Sequence, residues 1–143
     1  MSPVGHSLIG LAIGLSVSRP RERLWVLSAF VVLANLPDGP LPGWGHDAYH
    51  VSHSLLVNLA LIAATAGVLW RWLGGRLLAA AAAAWLSHLL LDSFYNHGLG
   101  IQIGWPAIDY RLNLPIPWLQ TLDVANLLSW RNASVVGFEL LTF

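Results

Sequence analysis

Cysteine is absent from the 143 residues. That excludes disulfides, thiolate metal sites and a cysteine nucleophile, and leaves any transition metal to nitrogen and oxygen donors. Charge is scarce: charged residues make up 10% of the chain, against roughly 25% in average soluble proteins. There is no lysine, so all 7 cations are arginine, and the formal net charge is zero. Such a chain has no basic surface with which to neutralise phosphates, which argues against a nucleic-acid partner. No basic residue precedes the first apolar run and no small-residue cleavage pattern stands before Arg19, so the N-terminal stretch reads as a retained helix rather than a leader.

Apolar residues are abundant, at 56%. A single small domain over residues 1–143 has too little interior to bury them all, and the lipid bilayer is the natural second solvent. The pattern predicts an all-α fold, an antiparallel four-helix membrane bundle with helices over about 4–18, 24–36, 51–72 and 77–95. Gly10 and Gly14 in the first helix have the small-xxx-small spacing that lets helices approach closely. Ser18 to Arg23 is a polar, proline-containing break, and Pro37-Asp38-Gly39-Pro40 is a dense turn signal that stops the second helix. Ser52 is the expected N-cap of the third helix, with His53 in its first turn. Gly74-Gly75 closes that helix, and six alanines, Ala79 to Ala84, build the fourth. Residues 96–118 read as an irregular loop, and 119–143 has room for a fifth helix, interrupted by polar Ser129 to Ser134. Helices one and two, at roughly 20–22 Å, are short for a full span.

His88 and Asp92 stand four residues apart near the end of the fourth helix, so both side chains leave one face, one turn apart. An imidazole and a carboxylate so placed suit zinc or a similar divalent cation. In an antiparallel bundle the starts of helices one and three share an end with the finishes of helices two and four. His6 and His53 are at the starts; Asp38, His88 and Asp92 are at the finishes. Five metal-ligating side chains are thus expected at one end: His6, Asp38, His53, His88 and Asp92. The plainer alternative is that each caps its own helix end. His50 and His97 belong to the same end, as additional ligands or as partners that steady a ligand from behind. The opposite end carries Arg19, Arg21, Arg23, Arg71 and Arg76, which by the positive-inside rule is cytoplasmic and puts the metal end outside. Trp25, Trp70 and Trp72 flank the arginine end, and Trp44, Trp105 and Trp118 the ligand end, like two interfacial belts.

The order His6, Leu36-Pro37-Asp38, His53-Ser54, His88-xxx-Asp92, Gly98 and Trp105-Pro106 resembles the YdjM-like family, described as LexA-binding, inner-membrane-associated and as membrane-bound metal-dependent hydrolases. The likeness covers roughly residues 5 to 118. It departs where the family often has a second acid after the Pro-Asp pair, here Pro40, and a His-Arg-Gly segment before the Thr-His-Ser, here Ala48-Tyr49-His50-Val51-Ser52-His53-Ser54. The same order is more distantly similar to the zinc-dependent phospholipase C and nuclease P1 group of all-helical phosphoesterases. That resemblance implies one metal shared by Asp38, His53, His88 and Asp92, and His6 serving a neighbouring metal bridged by Asp92.

A divalent metal, zinc first and manganese second, would lower the pKa of a bound water and so support hydrolysis. Asp38 and Asp92 are then the expected catalytic carboxylates, and Arg111 the contact for an anionic substrate group. A membrane-surface site favours a phosphoester or lipid-linked substrate. Two other classes remain open: a non-enzymatic membrane protein with a structural or regulatory metal, and a small transporter. The mid-helix Ala, Leu and Val residues count against a transport path.

Overall fold

The structure is a computed structural model that describes residues 1–39, 44–95 and 100–143. Among these the chain is mostly helical, with one two-stranded sheet. Helix α1 (Pro3–Val17) starts with proline, whose missing N–H is no loss in a first turn, behind a Ser2 cap that accepts from the Val4 and Gly5 amides. After the Ser18 to Glu22 turn, α2 (Arg23–Asn35) packs back on α1. Gly10 faces it so closely that a Cβ there would lie 2.6 Å from the Phe30 carbonyl oxygen. A 3-10 turn (Leu36–Asp38) on buried Pro37 ends α2 and presents Asp38.

A second 3-10 turn (Gly45–Ala48) leads into a single helical turn, α3 (Tyr49–Ser52), and then α4 (Leu55–Asp92). The expected helix start at Val51 is corrected: Ser54, not Ser52, caps α4, accepting from the Val57 amide, and His53 lies between the two helices. Ser52 is unavailable as a cap because its hydroxyl is engaged with the Gly45 carbonyl and the His53 ring. The break expected at Gly74-Gly75 lies inside α4, which is two helices meeting at Gly74, where φ is 72° and ψ 155°. This is backbone that only glycine adopts without strain. The two limbs lie side by side, since the Trp85 indole donates to Asn58 Oδ1 at 2.7 Å. Past Asp92 the Ser93 and Phe94 carbonyls accept from the Leu114 and Ile116 amides, so α4 ends there rather than at Tyr95.

The all-α expectation is corrected in 96–118. Strands β1 (Ile101–Gly104) and β2 (Ile108–Leu112) form an antiparallel hairpin pairing Ile101 with Leu112 and Gln102 with Arg111. Its period-2 alternation is short and hidden among Gly and Pro, and such a hairpin is marginal alone. Here it is held at the start of α4: Gln102 N–H donates to the His53 carbonyl at 2.9 Å, Ser54 Oγ to the Trp105 carbonyl at 2.8 Å, and Tyr49 O–H to the Gly100 carbonyl at 2.9 Å. The last helix is α5 (Trp130–Thr142), while 119–129 is not helical. Ser129 begins this helix instead of interrupting it, its side chain accepting from the Asn132 amide. The Asn132 side chain gathers the preceding loop by donating to the Asp123, Asn126 and Leu127 carbonyls.

The interior is unusually polar. His6, Ser52, His53, Asn58, His88, Asp92 and Glu139 are buried, whereas Trp25, Val32, Val68, Trp70, Trp72 and Leu90 lie on the outside. Helix α4 is long and apolar enough to cross a membrane, and only 6% of its most apolar window is buried, unlike the core helix of a soluble globule.

Candidate metal centre

Four elements deliver the donors. The turn after α2 brings Asp38, the junction between α3 and α4 brings His53, the last two turns of α4 bring His88 and Asp92, and the start of α1 brings His6. His53 Nε2 is 3.4 Å from Asp38 Oδ1, 3.4 Å from Asp92 Oδ2 and 3.4 Å from His88 Nε2. His88 Nε2 is 3.5 Å from Asp92 Oδ2 and 3.7 Å from Asp38 Oδ2. Ligands bound at 2.0–2.1 Å on the corners of a tetrahedron stand about 3.3–3.4 Å apart. The spacing therefore matches a cation's ligand shell better than it matches direct hydrogen bonds.

The tautomers point the same way. His88 Nδ1 lies 2.8 Å from the Ala34 carbonyl, which can only accept, so that nitrogen carries the proton and a neutral ring turns its Nε2 lone pair inward. Ser52 Oγ donates to the Gly45 carbonyl at 3.0 Å and so accepts from His53 Nδ1 at 2.8 Å, leaving His53 Nε2 for the centre. Partners behind metal-binding histidines fix the ring in this manner. Stacking adds to it: Tyr49 covers His53 with centroids 3.7 Å apart, and His6 covers His88 at 3.8 Å.

Asp92 faces both ways. Its Oδ2 meets His53 and His88, while Oδ1 lies 3.3 Å from His6 Nε2 and 2.6 Å from the Met1 amino group. His6 is fully buried, yet neither ring nitrogen makes a hydrogen bond among the described residues. A buried imidazole without such partners is costly unless something else uses its lone pair. His6, Asp38, His88 and Asp92 offer ligand atoms that all lie within 4.8 Å of one another, a cluster able to hold a metal ion. His53 Nε2, 3.4 Å from Asp38, Asp92 and His88, faces three of the same residues.

Electrostatics bind the cluster further. Burial alone would raise the Asp38 carboxyl, but the hydrogen bond from His53 and the charges of His88 and His53 outweigh it and hold it below the ordinary range. Burial disfavours the His53 cation, and its hydrogen bonds to Asp38 and Asp92 more than offset this, holding its pKa above the ordinary value. Burial first, then the charges of Asp92 and Asp38, push the Tyr49 phenol up, so it stays a donor. The Asp38 side chain is 23% exposed while the His side chains are 0% exposed, so the cluster meets the outside at Asp38.

The sequence also offered His50, His97 and Arg111. His50 is exposed and sits edge-on to Trp105, with ring centroids 4.9 Å apart. His97 lies outside the described residues. Arg111 is exposed on β2 opposite Gln102, and its charge reaches Tyr49. Sequence reasoning missed Ser52, Tyr49 and Ala34, which orient the histidines. The hydroxyl immediately before His53 was the available signal for Ser52. A backbone carbonyl such as that of Ala34 leaves none.

At the far end, Arg19, Trp72, Gly74 and Arg76 line a cavity of about 680 Å³, and Arg76 donates to the Ser16 carbonyl at 3.1 Å. Neither a curated protein nor a solved structure matches the chain. A family model described as YdjM inner membrane protein matches residues 1–142, a run that contains every donor of the centre, and the chain belongs to that family.

Proposed function

We propose that the protein is a membrane-bound metal-dependent hydrolase acting on phosphoester or lipid-linked substrates. The observation that carries this reading is the inward convergence of two imidazole Nε2 atoms and two carboxylates at 3.4–3.7 Å, open to the outside at Asp38. Donors of nitrogen and oxygen only, two of them imidazole, suit zinc, with manganese next. Bound there, the metal would supply an acidified water and a Lewis-acid contact for a phosphoryl or carbonyl oxygen.

The chain's own groups have separable roles. His53, His88 and Asp92 hold their positions through Ser52, the Ala34 carbonyl and burial. Asp38, the most exposed donor, stands where a substrate would arrive, and its oxygen not committed to a ligand bond is placed to accept a proton. Arg111 offers a guanidinium at the same side for an anionic group. The helices form a four-helix membrane bundle, counting the two limbs of α4 separately. The arginine-rich end faces the cytoplasm, and the metal end the extracytoplasmic surface, where lipid headgroups are within reach.

A structural or regulatory metal is the second reading. It is favoured by the burial of the histidine donors, which leaves little room for an open coordination position. Elemental analysis of detergent-purified protein with Asp38→Ala, His88→Ala and Asp92→Ala variants tests the centre. About one or more equivalents of zinc or manganese, lost in the variants, are expected, and a chain that takes up neither metal would overturn it. A subsequent phosphoester and lipid-phosphate hydrolysis screen separates the readings, since a closed structural site turns over none of these substrates.

A further inference from the structure

Asp92 and Glu139 are the buried acids among the described residues, and Glu139 lies outside the donor cluster. It projects inward from α5 and is fully buried. Its Oε1 accepts from the Ser2 amide at 3.0 Å and the Tyr95 hydroxyl at 3.1 Å. Its Oε2 accepts from the Gly5 amide at 3.2 Å and from the Ser2 hydroxyl. The carboxylate thus occupies the amino end of α1, where unpaired amides and the helix dipole stabilise an anion. One side chain thereby joins three elements: α5, the start of α1 and the segment just past α4.

The approach depends on Gly5, since a Cβ there would stand 2.9 Å from Glu139 Cδ and 2.1 Å from Met1 Cε. The next residue is His6. Its ring makes no hydrogen bond of its own among the described residues, and its amide donates to the Ser2 carbonyl at 3.2 Å. Besides the 3.3 Å approach of its Nε2 to Asp92 Oδ1, the ring is placed by the Ser2 to Gly5 backbone and by the stack on His88.

We infer that Glu139 is a positioning residue of the metal centre: by gripping Ser2 and Gly5 from α5, it sets His6 beside Asp92 as a metal ligand. This rests on the reading of the cluster as a metal centre. Losing a partner that supports a ligand usually weakens metal binding by about 10- to 100-fold.

The test is a zinc titration of the intact chain, stripped of metal in detergent, in four versions: the parent, Glu139→Gln, His6→Ala and the double variant. Glu139→Gln keeps the side-chain volume and is expected to weaken zinc binding by about 10- to 100-fold. In the His6→Ala background it should add little, because its effect runs through His6. Should Glu139→Gln fail to fold, Tyr95→Phe removes one of the four accepted bonds and enters the same cycle with an expected few-fold loss. Unchanged zinc affinity in Glu139→Gln, or an equal loss with and without His6, would overturn the role. A parent that binds zinc while His6→Ala binds it equally well leaves the centre standing on His53 and also removes this role. A parent that binds no zinc sinks the centre itself.

Discussion

Ser52 shows how much a single hydroxyl can decide. It sits between the Gly45 carbonyl and the His53 ring, and its one proton is committed to the carbonyl, which forces His53 to donate from Nδ1. Ser52→Ala is expected to reduce zinc affinity by about 10- to 100-fold while leaving the helices intact, measured by competition with a chelating dye. Unchanged affinity would mean that Tyr49 stacking alone holds the ring. The pH response follows from His53, whose pKa the carboxylates of Asp38 and Asp92 raise. Without metal, the stabilisation from protonated His53 is fully present below its unfolded-state value and is lost as pH rises through the raised folded value. Zinc held by His53 would need the neutral ring, so its binding is expected to strengthen over the same rise. Melting curves with and without zinc, taken between about pH 5 and about pH 8, should show the zinc-induced shift in Tm growing with pH. A shift that shrinks as pH rises would exclude His53 from the ligands.

At the scale of elements, α4 carries the site because it folds back on itself. Gly74 is the one residue of α4 outside helical geometry, and a Cβ there would meet nothing within 4 Å. The demand on this position is purely conformational. Gly74→Ala is expected to cost about 1–3 kcal/mol of stability by denaturant titration in detergent, with metal content per folded chain unchanged. A loss of metal without a loss of stability would show instead that the bend transmits strain to the centre. The hairpin makes the complementary point, because its alternation is too short to read within the Gly and Pro around it. It forms on tertiary contacts to His53, Ser54 and Tyr49 that join residues about 50 positions apart. The polar Ser129 to Ser134 run reads as an interruption in a linear chain. In the structure it is the cap and loop clasp that start α5.

For the molecule as a whole, the inverted distribution of polarity is the governing fact. His6, His53, His88, Asn58, Asp92 and Glu139 are inside, and Trp25 at 80% and Trp70 at 63% exposure are outside. In water such a surface would drive association, and lipid removes that penalty. Because the chain has no cysteine, single substitutions report topology without background. Glu22→Cys is expected to react with a membrane-impermeant maleimide only after the cells are opened, and Tyr110→Cys in intact cells. The reverse pattern would put the centre on the cytoplasmic side.

Composition and periodicity by themselves determined the apolar helices and pointed to His6, Asp38, His88 and Asp92 as side chains that gather into a cluster able to hold a metal ion. Those properties follow from local spacing and from short connections, which a sequence carries directly. Only the tertiary structure decided which of those residues meet and how. The distances among Asp38, His53, His88 and Asp92, the tautomers set by Ser52 and the Ala34 carbonyl, the edge-on contact of His50 with Trp105 and the grip of Glu139 on Ser2 and Gly5 all join residues remote in the chain or use backbone atoms. A carbonyl oxygen and a carboxylate's depth have no letter in the sequence, because both are properties of packing.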